Sequence, residues 1–234
     1  SSDLDLVHDK PQVVEVDGRS KLAPIEQYGV KILSIGFFAE ANQAVVWRGP
    51  MATKALNQLV NDAHWGPLDY LILDLPPGTG DVHLSIVQSI PLNGVVVVST
   101  PQTVALADAR KGVGMFRLPA INVPILGLVE NMAWFTPEEL PNNKYFLFGK
   151  DGAKNLAEEL EIPFLGHLPL FQSIREAGDA GRPAALQTAT PIETAFENLT
   201  RNVVTEVVKR NEELPATEAI KITTMAGCSE VKGK

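Results

Sequence analysis

The sequence predicts an α/β fold, a mostly parallel sheet with helices on both faces in three layers. Three observations carry this. Short apolar runs recur at Tyr70-Leu71-Ile72-Leu73, Gly94–Thr100 and Pro124–Glu130, each of a length and character that suits a strand buried on both faces. Between them, Val82–Ile90 and Thr103–Arg117 read as helices. Prolines and glycines punctuate the ends of the runs, as at Pro76-Pro77-Gly78 and Thr100-Pro101. Strands alternating with helices of about ten to fifteen residues indicate parallel pairing through right-handed crossovers.

The remaining elements follow in chain order. Residues 1–27 are polar and irregular, with a short strand at Val13–Val16, and β-branched Val30–Ile35 reads as a strand. Phe37–Ala44 reads as a loop. Pro50 suits the first position of a helix running over Met51–Asn61, with Met51, Ala55, Leu56 and Leu59 as its apolar stripe. In Thr103–Arg117, Val104, Leu106, Ala107, Val113 and Phe116 face inward in part. Asp151–Leu160 is a helix capped by Asp151, and Pro163–His167 is a short strand ended by Pro169. Thr190-Pro191-Ile192-Glu193 is a strong helix start, with cap, N1 proline and a glutamate at N3. Ile192, Phe196, Leu199, Val203 and Val207 then repeat at helical spacing to about Lys209. A weak strand is expected at Ala219–Thr223.

Composition bounds the function. With 234 residues and 45% hydrophobic content, one well-formed core is expected: a single domain over residues 1–210 and a tail over 211–234. A net charge of −8 argues against a nucleic-acid binder or a basic membrane-surface protein. The single cysteine, Cys228, permits no intrachain disulfide and no cysteine cluster, which suits the reducing cytoplasm. Apolar runs such as Val95–Val98 are too short to span a bilayer, and the polar, acidic SSDLDLVHDK is no signal peptide.

The stretch with the most chemistry is Leu68–Asp81, LDYLILDLPPGTGD. The predicted strand ends in Asp74, and Pro76 and Pro77 stop any ladder. Gly78 and Gly80, with Thr79 between them, let backbone N–H groups approach an anion, and Asp81 falls where a helix N-cap is expected. A carboxylate thus lies at the carboxyl end of a strand beside a loop able to hold phosphate, where ligands bind in open α/β sheets. On these features alone an ordinary strand–loop–helix connection is the commoner explanation. Asn131 follows another strand. Its amide suits either a turn or paired hydrogen bonds to adenine. His8, His64, His83 and His167 have no ligand spacing and receive no role.

The full string LDYLILDLPPGTGD resembles the Walker B and switch II segment of the Mrp/ApbC-type ATPases, iron–sulfur cluster carriers related to MinD and ParA. The string WRGPM at Trp47–Met51 extends the resemblance upstream, and it covers roughly residues 25 to 187. The resemblance implies a P-loop NTPase-like fold and a cytoplasmic homodimer that couples ATP to cluster delivery to apoproteins, without nucleic-acid or membrane partners. It implies that Asp74 helps hold the hydration shell of Mg²⁺ and that Pro76–Asp81 senses the γ-phosphate. Asp74 and Asp81 would then be catalytic, with Gly78, Thr79 and Gly80 against the nucleotide. It gives Asn131 a contact to adenine and sets Pro169 and Leu170 beside the base, in a segment, PLFQSIREAGDAGRP, that closes over the nucleotide. Asp179 and Arg182 are equally well explained as a solvated loop, and Arg48 as a phosphate contact, a subunit contact or a surface arginine.

Two departures qualify the resemblance. The family's Cys-Pro-x-Cys pair is replaced here by Phe135-Thr136-Pro137-Glu138-Glu139-Leu140-Pro141, and carboxylates are poor substitutes for thiolates toward iron–sulfur clusters. Cys228, one thiolate in the tail, supplies at most two ligands in a dimer. No Gly-x-x-x-x-Gly-Lys-Ser/Thr string occurs anywhere in the chain. The Walker A loop, its strand and helix, and the switch I aspartate are therefore expected in a longer parent protein, and the 234 residues alone are expected to be inactive. A MinD- or ParA-like spatial regulator and a non-catalytic binding module are the alternatives. The first needs a basic or amphipathic tail, which ELPATEAIKITTMAGCSEVKGK is not.

Overall fold

The computed structural model describes residues 6, 9–38, 49–76, 78 and 80–219, with the side chains of 49–53, 81 and 82 excepted. Two antiparallel hairpins open the fold. β1 (Gln12–Val16) pairs with β2 (Arg19–Ala23), and β3 (Ile25–Gln27) pairs with β4 (Val30–Ile32). Each turn has two central residues at positive φ: Asp17 (52°) and Gly18 (72°), then Tyr28 (53°) and Gly29 (75°). That is the backbone of the tight turn whose twist matches its flanking strands. The expected strand at Val13–Val16 is present, but residues 19–27 are not irregular. The expected strand at Val30–Ile35 is shorter, because Ile35–Phe38 winds into a 3₁₀ turn. It belongs to a hairpin and not to the parallel sheet.

The helix α1 (Gly49–Asn61) follows, with Leu59 buried at 9% exposure. Its end is tied to the first hairpin: Leu22 N–H donates to Asp62 O, and His64 N–H donates to Leu22 O. α2 (Asp81–Ser89) begins one residue earlier than predicted, and its N-cap is Gly80 rather than Asp81.

A three-stranded parallel sheet forms the centre, in the order β5 (Val95–Ser99), β6 (Ile125–Glu130), β7 (Phe164–His167). Val96 stands opposite Gly127, and Leu128 opposite Phe164. Between these strands lie α3 (Thr103–Phe116) and α4 (Gly152–Glu159); α5 (Gln172–Asp179) and the long α6 (Pro191–Glu213) come after. Leu128 packs into a cluster with Ala109 and Val113 of α3 and Ala153, Leu156 and Ala157 of α4. Val129, on the opposite side of the pleat, is buried as well, so both faces of β6 are covered. α6 runs against β6 and β7, and Asn202 donates to Leu165 O. A second cluster joins Val87 of α2 to Phe116, Ile121 and Val123, with Val95 at its margin.

Within α3, Val113 and Phe116 are buried as expected, but Val104 is 77% exposed and Ala109 takes the inward position. The segment PLFQSIREAGDAGRP contains α5, which takes in Asp179, and Arg175 pairs with Asp179 one turn later at 2.6 Å. α6 starts as read: Thr190 Oγ1 accepts from Glu193 N–H at 3.1 Å, and Glu193 Oε2 accepts from Ala189 N–H at 2.6 Å. It runs past Lys209 to Glu213. Arg48 and the weak strand at 219–223 lie outside the described residues, apart from residue 219.

Two expected buried strands are corrected. Tyr70–Leu73 forms no strand and pairs with nothing among the described residues, and Ile72 is 87% exposed. An apolar run becomes a buried strand only where another strand accepts its backbone groups. β5 is present, but it is an edge of the described sheet, which leaves Val98 58% exposed rather than buried.

Candidate functional site

Candidate groups gather at the carboxyl edge of the sheet, where β5, β6 and β7 end side by side at Ser99, Glu130 and His167. The chain stays tied together beyond the ladder. Asn131 N–H donates to Ser99 O at 2.7 Å, Leu168 N–H to Glu130 O at 2.8 Å, Ala133 N–H to Leu168 O at 3.0 Å, and Leu170 N–H to Trp134 O at 2.7 Å. These bonds bring Asn131 into one lip with Pro169 and Leu170. Asn131 is half-buried, and its Oδ1 accepts from Met132 N–H at 2.9 Å, which fits Met132 at a φ of 53°. The amide oxygen therefore makes a local turn contact, and the NH₂ group offers two further donors. Pro169 is buried and Leu170 half-buried.

Asp74 stands exposed directly after the unpaired Leu71–Leu73 segment. A solvent-facing carboxylate fits contact to Mg²⁺ through water. Gly78 has a φ of 97° with no atom within 4 Å of where a Cβ would stand, so the backbone there is open to an approaching anion. Thr79 and the Asp81 side chain lie outside the described residues. No hydrogen bond among the described residues joins the Asp74–Gly80 loop to Asn131, Pro169 or Leu170. The exposed Asp74 and the open backbone at Gly78 fit a metal- and phosphate-facing edge, and Asn131, Pro169 and Leu170 form a separate lip.

The donor set does not fit an iron–sulfur cluster. Phe135 and Tyr145 exchange N–H···O bonds of 2.8 Å in both directions, closing a loop that carries Glu138 and Glu139 on its exposed side. Those carboxylates are surface charges, and Cys228 lies outside the described residues.

One constellation escaped the sequence reading. Glu130, Asp151 and His167 offer ligand atoms that all lie within 4.8 Å of one another. Glu130 is 1% exposed, and its Oε2 accepts from Ala153 N–H at 2.7 Å at the start of α4. Asp151, the expected cap of α4, does not cap: it sits at the N-cap position in the left-handed region (φ 56°) without a side-chain bond to the helix. Glu130 reaches across from β6 to do that work. Asp151 Oδ1 faces His167 Nε2 at 3.2 Å instead, and Glu130 Oε1 lies 3.6 Å from the same nitrogen. No spacing in the chain signals this, because the residues come from a strand end, a helix start and a second strand end.

The parallel sheet with its packed helices is of the P-loop NTPase-like α/β class. The chain superposes with a TM-score of 0.65, at 30% identity, on an Archaeoglobus fulgidus nucleotide-binding protein solved with ADP; the match covers 83% of this chain and 72% of that one. The model of the ParA family described as NUBPL iron-transfer P-loop NTPase matches residues 3–204, and the chain belongs to that family. Among curated relatives, an iron–sulfur cluster carrier protein of Synechocystis is 48% identical over 162 residues, covering 69% of this chain and 45% of its own length. The iron–sulfur cluster transfer protein NUBPL of Dictyostelium discoideum is 41% identical over 208 residues, 88% of this chain and 62% of its own length. The chain therefore spans between about half and three fifths of these relatives' lengths. Among the described residues, no helix is long and apolar enough to cross a membrane.

Proposed function

We propose that the chain is the Mg²⁺- and base-contacting part of an ATP-dependent iron–sulfur cluster carrier, a cytoplasmic homodimer that passes clusters to apoproteins. The observation that carries this is the family match over residues 3–204, with relatives named as cluster carriers and transfer proteins. In this reading Asp74 holds a water of the Mg²⁺ shell, and Gly78, Thr79, Gly80 and Asp81 respond to the γ-phosphate. Asn131 donates to adenine from its NH₂ group, with Pro169 and Leu170 beside the base. Bound Mg²⁺ supplies charge neutralisation between phosphate oxygens. The exposure of Asp74 and the open backbone at Gly78 support these roles. Any contact to the cluster comes from outside the Phe135–Pro141 loop, which carries no thiolate.

Calorimetric titration with Mg-ATP tests this. The 234-residue chain is expected to bind weakly or not at all, and an upstream-extended form bearing a Walker A loop to bind tightly. In that form Asp74→Asn is expected to lower ATP turnover by roughly 10- to 100-fold, the usual cost of losing a group that acts on a metal through water. Unchanged turnover in Asp74→Asn overturns the assignment.

A further inference from the structure

We propose that Glu130, Asp151 and His167 bind one divalent cation of the zinc class, at a site separate from the nucleotide's. His167 Nε2 faces two carboxylates, Asp151 Oδ1 at 3.2 Å and Glu130 Oε1 at 3.6 Å. A single Nε2–H serves only one of them as a donor, and the 3.6 Å contact exceeds hydrogen-bonding reach. Glu130 is 1% exposed and its Oε2 accepts from Ala153 N–H, so a buried, fixed carboxylate turns its other oxygen, Oε1, toward the same histidine nitrogen. Burying a carboxylate in this way is costly unless a positive charge faces it.

A cation at the centre of the three gives every one of these atoms a bond. Zinc takes imidazole nitrogen and carboxylate oxygen at about 2.0–2.1 Å, so neighbouring donors in a tetrahedral shell stand about 3.3 Å apart. The two separations from His167 Nε2, 3.2 and 3.6 Å, bracket that value, and the three ligand atoms all lie within 4.8 Å of one another. Two carboxylates and a neutral imidazole also match a 2+ charge, and the mixed set of nitrogen and oxygen donors suits zinc better than magnesium. His167 and Asp151 side chains are 27% and 39% exposed, which leaves an entry path and a fourth position for water. The ring is already held in place by Phe164, edge-on with centroids 4.8 Å apart, and by Trp134 at 5.9 Å.

The test is calorimetric titration of the full chain with Zn²⁺ in the absence of nucleotide, with Cys228→Ser so that the tail thiol does not compete. One Zn²⁺ per chain is expected, with His167→Ala and Asp151→Asn each weakening binding by at least about tenfold. Far-UV circular dichroism checks that both variants fold. If either does not, the His167 ring nitrogen is followed by NMR in the otherwise unaltered chain, where Zn²⁺ is expected to shift Nε2. No saturable uptake, uptake unaffected by both substitutions, an unmoved Nε2 resonance, or equal affinity for Mg²⁺ each overturns the proposal. Because no nucleotide is present, failure here leaves the ATP reading untouched.

Discussion

Two stretches look alike in sequence and differ in the fold. Leu126-Gly127-Leu128-Val129 and Tyr70-Leu71-Ile72-Leu73 are both short, apolar and followed by an acidic residue. The first is the middle strand of the sheet, paired on both sides, with Leu128 at 0% and Val129 at 1% exposure. The second has no ladder among the described residues, and Tyr70, Leu71 and Ile72 are 56%, 41% and 87% exposed. Hydrophobicity marks what is able to be buried; the neighbouring strand decides whether it is.

The sharpest way to break this comparison is truncation of one residue in each stretch. Leu128→Ala is expected to destabilise by about 2–5 kcal/mol through lost burial and a residual cavity. Ile72→Ala is expected to stay within about 0.5 kcal/mol, as an exposed site does. Urea unfolding followed by circular dichroism measures both, and comparable losses would show that Ile72 is buried in solution.

Glycine substitution gives a smaller contrast. A Cβ at Gly127 would stand 2.6 Å from both Leu165 Cγ and the Pro163 carbonyl oxygen, and the latter is backbone that cannot move aside cheaply. Gly127→Ala is expected to cost about 1–3 kcal/mol by overpacking. Gly78→Ala meets no atom within 4 Å and is expected to cost only the roughly 1 kcal/mol of its positive φ. Thermal melts of the two variants rank them, and the reverse order would break the comparison.

The smallest effect expected lies on the surface beside the paired region. Arg110 and Glu159 form a two-pronged ion pair of 2.7 and 2.6 Å linking α3 to α4. The hydrogen bond to Arg110 holds the Glu159 carboxyl below its ordinary range, and the bond to Glu159 raises the Arg110 guanidinium. A carboxylate lowered by folding adds stability above its unfolded pKa and loses it as pH falls through the folded value. Glu159→Gln is therefore expected to lower the melting temperature slightly at neutral pH and to match the parent below the carboxylate range. Melts at the two pH values check the sign, and an equal difference at both would remove the ion pair as its cause.

What was legible in the sequence was what local chemistry determines. The Thr190-Pro191-Ile192-Glu193 start of α6 and the apolar spacing along α3 and α6 need no distant partner. β6 and β7 also stand within a residue of their expected bounds. The hairpins were missed although Asp17-Gly18 is a strong turn signal, because the polar strands around it, such as Arg19–Ala23, hide their alternation. Asp151 was misread as a cap because a carboxylate from another strand, Glu130, fills that role. His167 was passed over for the same reason: its partners are brought to it by the sheet, and linear spacing does not encode them.

The hydrogen bonds that tie residues 130–134 to 168–170 have a consequence for motion. Three of them, Leu168 to Glu130, Ala133 to Leu168 and Leu170 to Trp134, alternate between two chain segments. Neither segment can swing away without releasing the other, so the lip opens as one cooperative unit. The amides of Leu168, Ala133 and Leu170 then share a single opening free energy and exchange with solvent at matched protection.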